Sequence, residues 1–377
     1  MVFNMKKRAR DLGIKIFGDP GKYNAITDVQ GVEVGYSTIV IGEPNDFKGR
    51  GSNFARTGVT AILPRGKQKS VVYAGRHDLN GNGELTGTHW MDDSGFIHGP
   101  IMITNTNSVG IVRDTVTKWM VENDYYQHLV FMGREIDECG YFYPVVGETW
   151  DGLLNDINGF HVKEEHVYEA LNNAKSGSIA EGNVGGGTGM VCHEFKGGTG
   201  TASRVLPKEF GGYTVGTLVQ ANHGIRMWFE VNGIPMGNEI KGADPVCNSF
   251  VPKPGTGSII VVLATDAPVN PIQLSKMCKR VPIGIGKLGS GYENGSGDIF
   301  VAFSTANENA YTSGVSTAAV LGDYMMDAIY RAVADSVEEA ILNALCAAET
   351  MEGANHNKYY AMPHKEVMRI LKKYRGE

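Results

Sequence analysis

The stretch Pro254-Gly255-Thr256-Gly257-Ser258-Ile259-Ile260-Val261-Val262-Leu263-Ala264-Thr265-Asp266 decides how the chain is read. A Pro/Gly loop gives way to Ser258, and the unbroken apolar run that follows reads as a buried strand. A small nucleophilic side chain therefore stands on the boundary between a flexible segment and a rigid one. Residues 238–257, just upstream, are turn-rich and without periodicity, which marks them as the best candidate linker.

Outward from this stretch, short strands separated by glycine turns are expected at 25–40, 58–64 and 70–74. That is a pattern of sheet rather than of alternating βαβ units. Thr214–Ala221 reads as a strand that delivers Asn222 at its end. Pro144-Val145-Val146-Gly147 reads as another, running into the acidic, aromatic loop Glu148-Thr149-Trp150-Asp151. Asp298–Ser304 is a further strand, and Asn232-Gly233 is a hairpin signal. Val109, Val112, Val116, Trp119 and Met120 keep helical spacing behind the candidate cap Asn107-Ser108. Residues 163–174 form a short helix, and Asn270–Leu288 is amphipathic. The strongest periodic signal is Leu321, Met325, Ile329, Ala332, Val337, Ile341, Ala344 and Leu345, which predicts one long helix over 316–350 packed on a sheet. The expected class is α+β or α/β, with helices layered on sheets.

With 377 residues, 42% of them apolar, the chain can bury the core of one large domain or two average ones. Its 50 glycines show no three-residue period, so they point to tight turns and close backbone approaches rather than to collagen. A net charge of −6 gives no electrostatic footprint for nucleic acid. The basic cluster Lys365, Arg369, Lys372, Lys373 and Arg375 reads as the solvated face of a terminal helix. Cys139, Cys192, Cys247, Cys278 and Cys346 form no CxxC pair, so reduced, mostly buried thiols and a cytoplasmic location are expected. The basic segment Met5–Arg10 lacks an apolar run behind it and is no secretory signal. No membrane span is expected, because no apolar run reaches the roughly 18 residues that one requires.

Several chemistries fall away on inspection. The glycine tract Gly182–Gly189 lacks both GxxxxGK[ST] and a GxGxxG opening a helix, which leaves close backbone packing as the better reading. His89 with Asp92 and Asp93 leaves a metal-hydrolase reading open beside the ordinary one, a loop histidine near acids. GxSxG is absent around Ser258, so an α/β-hydrolase elbow is unsupported. A serine hydroxyl needs a base, and no histidine pattern supplies one here. An N-terminal serine would carry its own base, since an α-amine titrates at about 7.7–8.0. Such chemistry needs a cleavable bond ahead of a serine held on a strand, and 254–263 offers both. Gly257 leaves its carbonyl unshielded and open to attack by the same hydroxyl.

Further stretches carry a resemblance. They are Ile26-Thr27-Asp28-Val29, Arg56–Ala61, Asn82–Gly87, Thr104–Gly110, Gly182–Gly189, Lys196–Arg204, Val219–Asn222, Gly257–Pro268 and Gly295–Asn307. Together the chain resembles the N-terminal-serine aminopeptidases, the family of the L-aminopeptidase/D-esterase and the β-peptidyl aminopeptidases. The resemblance implies a four-layer αββα sandwich of the N-terminal-nucleophile hydrolase kind. It also implies self-processing between Gly257 and Ser258 into fragments 1–257 and 258–377. By the same resemblance, Ser258 is the nucleophile and Asn222 the oxyanion-hole donor. Ser296 and Asp298, the latter in place of the family's usual Glu, orient the serine amine and hydroxyl. Glu148 holds the substrate ammonium, and Trp150 aligns with a neighbouring tyrosine. No metal or organic cofactor is implied, and partners would be short peptide, amide or ester substrates and further copies of the chain, a homotetramer or larger. Two other readings stay open: an ornithine-acetyltransferase-like acyl transferase, and an unprocessed, catalytically silent relative with a binding or structural role.

Overall fold

Side chains alternate along the apolar run after Ser258. Ile259, Val261 and Leu263 enter one core, and Ile260, Val262 and Ala264 enter another. A computed structural model describes residues 6–126, 130–131, 134–135, 141–249, 253 and 255–377. Met5, Cys139 and Pro254 lie outside the described residues. The principal strands in chain order are β1 (Glu33–Ile41), β2 (Ala55–Leu63), β3 (Val71–Gly81), β4 (Phe96–His98), β5 (Ile101–Asn105), β6 (Val145–Thr149), β7 (Gly198–Val205), β8 (Thr214–Asn222), β9 (Thr256–Thr265) and β10 (Gly295–Ser304). The principal helices are α1 (Val109–Glu122), α2 (Glu164–Asn172), α3 (Pro271–Cys278), α4 (Val281–Gly286), α5 (Met326–Ala347) and α6 (His364–Arg375).

A four-stranded sheet runs in the order β1-β2-β5-β6, and a six-stranded sheet in the order β7-β8-β9-β10-β3-β4. Pairing is antiparallel except for β5 with β6 and β9 with β10. Val34, Ile62, Ile103 and Val145 of the first sheet meet Leu218, Ile260, Val262 and Phe303 of the second in a shared core. The outer face of the first sheet packs on α1 and α2 through Val116, Trp119, Val167 and Leu171. The outer face of the second packs on α3, α4 and α5 through Leu274, Ile285, Ile329, Val337 and Ile341. The layers are helix, sheet, sheet, helix, as the resemblance implies. Both faces of β9 are covered, which explains why its sequence is uniformly apolar rather than alternating. Burying each such side chain contributes about 1.5–3 kcal/mol.

The outer helices approach their sheets at glycines. A Cβ on Gly35 would lie 2.0 Å from the Ala170 carbonyl oxygen on α2, and one on Gly200 would lie 2.0 Å from the Ala340 carbonyl oxygen on α5. Alanines four residues on, Ala174 and Ala344, complete each contact.

The structure departs from the sequence expectations where local chemistry overrides periodicity. β3 extends to Gly81 because β10 pairs with it along that length, despite its polar residues. The long helix starts at Met326, not at 316; Gly322 and a short 3-10 turn precede it, and residues 313–317 are exposed. Asn270–Leu288 divides into α3 and α4, with Pro282 in the first turn of α4, where its missing N–H is harmless. Asn270 caps α3, accepting from Gln273 N at 2.9 Å. Ser108 makes no side-chain cap; Thr106–Ser108 is instead a 3-10 turn ahead of α1. Asn232 and Gly233 both take positive φ between the paired Val231 and Ile234, as a tight hairpin requires. At the end of the expected linker, Thr256 and Gly257 already belong to β9, so the Gly257–Ser258 bond lies inside a ladder. The terminal helix α6 buries Val367, Ile370 and Leu371 and turns its basic residues outward, pairing Arg369 with Glu366 and Lys373 with Glu239. Among the described residues no helix is long and apolar enough to cross a membrane.

Gly200→Ala is expected to destabilise the fold by about 1–3 kcal/mol, because the added methyl meets backbone that cannot rotate away. Thermal melting checks this: a midpoint equal to the parent's would show that α5 is free to shift outward.

Candidate active site

Three strand ends form the floor of a cavity of about 910 Å3. In the register of the second sheet, Asn222 on β8 is opposite Ser258 on β9, and Ser258 is opposite Gly297 on β10. Glu148, Trp150, Asn222, Gly257 and Ser258 all line the cavity. Ser258 is buried, and the alternation of β9 points it to the inter-sheet side, the side of Ile260 and Val262.

The Asn222 amide is fixed on every side. Its Oδ1 accepts from Val191 N at 2.8 Å, and its Nδ2 donates to the Trp150 carbonyl at 3.0 Å. The remaining N–H is directed at Ser258 Oγ, 3.3 Å away. An amide held by one donor and one acceptor cannot turn when charge develops beside it, which is what electrostatic preorganisation requires. Trp150 thus contributes its backbone carbonyl to the site, beside an indole that is partly exposed.

Ser296 and Asp298 form a second pair. Ser296 Oγ donates to Asp298 Oδ1 at 2.6 Å. Along β10, Phe300 and Ala302 enter the helix-side core, so Ser296 and Asp298 share that face, opposite to Ser258 Oγ. No side-chain hydrogen bond joins them to Ser258 among the described residues. The link is through the ladder: Gly257 pairs with Ser296, which sets the hydroxyl beside the backbone bond that precedes Ser258. Asn80 completes this pair, donating from Nδ2 to Asp298 Oδ2 at 3.1 Å and to the Glu293 carbonyl at 2.9 Å. The register between β10 and β3 slips by one residue at Leu79, a bulge that re-aims Asn80. Burial pushes the Asp298 carboxyl up to about 6, against the lowering effect of its bonds to Ser296 and Asn80.

Glu148 is the next-to-last residue of β6, paired in register with Thr104 of β5. Its Oε1 accepts from Glu84 N at 3.0 Å, and its Oε2 accepts from the Thr106 hydroxyl. Desolvation raises its pKa above the ordinary carboxylate value, and these two hydrogen bonds oppose the rise. Among the described residues no cation pairs with it, so its charge is available to a cationic ligand.

The metal reading of His89, Asp92 and Asp93 does not hold. Asp92 binds the Arg76 guanidinium at 2.8 and 3.0 Å, and the three side chains do not gather their ligand atoms. The Gly182–Gly189 tract serves close packing: a Cβ on Gly186 would lie 2.1 Å from Gln220 Oε1, between the two sheets. Sequence reading missed Asn80, Thr106 and Val191. Asn80 begins the polar run Asn80-Gly81-Asn82-Gly83-Glu84, whose density of turn residues was the one available signal. Val191 acts through its backbone and leaves no trace in side-chain pattern.

Comparison with known proteins places the chain as a whole. The family described as Peptidase family S58 matches residues 24–359. The chain is 49% identical to the beta-peptidyl aminopeptidase BapA of Sphingosinicella microcystinivorans, over 98% of this chain and 92% of that protein. The structure of the L-aminopeptidase D-Ala-esterase/amidase of Ochrobactrum anthropi, described as a variant among the Ntn hydrolase fold, is 46% identical and superposes with a TM-score of 0.87, covering 98% of this chain and 99% of that one. A Burkholderia sp. beta-aminopeptidase is 42% identical with a TM-score of 0.83, over 97% and 99% of the two chains. A family match across most of the chain, together with relatives at this identity and coverage, is decisive: the chain belongs to peptidase family S58.

Proposed function

We propose that the chain is a self-processing serine aminopeptidase that releases the N-terminal residue of short peptides, amides or esters through an acyl-enzyme on Ser258. The observation that carries the proposal is the rung in which a fixed Asn222 amide meets Ser258 Oγ at 3.3 Å on the floor of a cavity that Glu148 also lines. The names of the relatives, a beta-peptidyl aminopeptidase, a beta-aminopeptidase and an L-aminopeptidase D-Ala-esterase/amidase, support the same reaction.

In maturation, Ser258 Oγ attacks the Gly257 carbonyl carbon, the C–N bond breaks, and the acyl group passes to oxygen as an ester with the Ser258 nitrogen freed as an amine. Water then hydrolyses the ester, leaving a carboxylate on Gly257. In turnover, Glu148 pairs with the substrate ammonium and sets its first carbonyl above Ser258. The neutral Ser258 amine takes the hydroxyl proton as Oγ attacks, the Asn222 N–H stabilises the oxyanion, and the same amine protonates the leaving group. Water releases the acyl-enzyme. Ser296, Asp298 and Asn80 would orient the amine from the far face of the sheet. We further read the protein as a cytoplasmic homo-oligomer, with the exposed Ile272, Ile283 and Tyr324 of the helical layer supporting association.

Denaturing electrophoresis with N-terminal sequencing tests maturation. The parent should give two fragments, the second starting at Ser258, and Ser258→Ala should remain one chain without turnover. A single intact parent chain that also resists serine acylators would instead favour the silent-relative reading. Asn222→Ala in processed enzyme should lower kcat by about 10²–10³, the range for loss of one oxyanion donor. A parental kcat would place the oxyanion elsewhere. The pH profile has two limbs. The amine must be neutral, so kcat should rise with pH through about 7.7–8.0, the ordinary range of an α-amine. Glu148 must be ionised to hold the ammonium, so kcat/KM should fall as pH drops through a pKa raised above 4.5. Glu148→Gln should raise KM and remove that acid limb; an unchanged limb would assign it to another group.

A further inference from the structure

We propose that Cys192, His193 and His223 form a binding site for a divalent transition cation of the Zn2+ type, directly behind the active-site cavity. One ligand atom from each residue lies within 4.8 Å of the other two, the only such gathering among the described residues. Cys192 Sγ is 4.0 Å from His223 Nδ1. All three side chains are at least nine-tenths buried, and the Nε2 atoms of both histidines are buried without a hydrogen-bond partner among the described residues. A buried, unpaired ring nitrogen is unfavourable, and a bound cation would offset that cost.

The backbone is shaped around the cluster. Cys192 pairs with Phe195 across a two-residue turn in which both His193 and Glu194 take positive φ, 47° and 59°. Such turns ordinarily carry Asn-Gly. Here a histidine occupies the strained position, and its ring is turned inward against His223, with ring centroids 5.5 Å apart. The Arg226 guanidinium, bonded to the His193 carbonyl at 3.0 Å, locks that turn.

The donor set is two neutral imidazoles and a thiolate, which suits Zn2+ and leaves a fourth position open. Burial holds both rings unprotonated at neutral pH, His193 down to about 4 and His223 well below the usual histidine value. Burial also pushes the Cys192 thiol up to about 12, so binding must expel its proton to solvent as the S–metal bond forms. His223 also lines the active-site cavity, which places the cluster beside it. Val191 and Asn222, bonded to each other, immediately precede Cys192 and His223. A cation drawing those two residues together would therefore act on the Asn222 amide.

The test uses the full chain, stripped of metal with a chelator and titrated with Co2+. The expected result is one Co2+ per chain, a thiolate-to-cobalt charge-transfer band, the intense visible bands of a four-coordinate site, and displacement by one equivalent of Zn2+. Cys247→Ser, at the other cysteine beside the cavity, should keep the band, and Cys192→Ser should lose it. No thiolate band in the parent at one equivalent overturns the proposal even where Cys192→Ser fails to fold. A band that survives Cys192→Ser overturns it as well.

Discussion

The site depends on a single rung of β-ladder, the pairing of Asn222 on β8 with Ser258 on β9. Everything else fixes that rung in place. The strands carrying it are interior to a six-stranded sheet, so neither can slide without breaking a ladder on its other side. Ile259 to Ala264 fill two cores at once, and a register shift of one residue would exchange their faces. The placement of the Asn222 amide 3.3 Å from the hydroxyl is thus supported by apolar packing on both faces of the sheet.

The sheet also divides tasks between its faces. The hydroxyl of Ser258 and the amide of Asn222 project into the inter-sheet side, where the cavity opens. Ser296, Asp298 and Asn80 occupy the helix side and reach the site only through backbone. That division gives the shorter Asp298 side chain a physical context. The one-residue bulge at Leu79 turns Asn80 toward the carboxylate, supplying a contact from β3. Glu148 comes from the other sheet altogether, so the proposed substrate anchor and the proposed nucleophile would be carried by separate layers that meet at one cavity.

Much of this was legible in the sequence, for identifiable reasons. The strand after Ser258 is buried on both faces and reads as an unbroken apolar run, while the equally buried strand before Asn222 is legible from Val215, Leu218, Val219 and Ala221 although Thr217 and Gln220 interrupt it. The later part of α5 repeats at helical spacing because one stripe faces the sheet. Family resemblance, rather than pattern, assigned the roles of Ser296, Asp298 and Glu148. What stayed hidden depended on contacts between distant segments. Asn80 needs a bulge that only the pairing of β3 with β10 creates. Val191 contributes a backbone N–H. The early part of the expected long helix keeps apolar spacing yet is loop, because Gly322 intervenes and nothing packs on residues 313–317. Cys192, His193 and His223 look like scattered residues until the hairpin at 191–196 is laid beside the end of β8.

The interior position of β9 has a consequence for assembly. A break before Ser258 would leave β7, β8, β3 and β4 in one polypeptide and nearly all of β9 and all of β10 in the other, while both would still share the inter-sheet core and the core under α3, α4 and α5. Two pieces interleaved in this way separate only by dismantling the sheet, so the nicked molecule would persist through its slow rate of opening. Regaining the fold after denaturation would be second order in protein concentration, where the uncut chain needs only itself. Such a molecule is built once, from an intact precursor, and dilution works against its ever being built again.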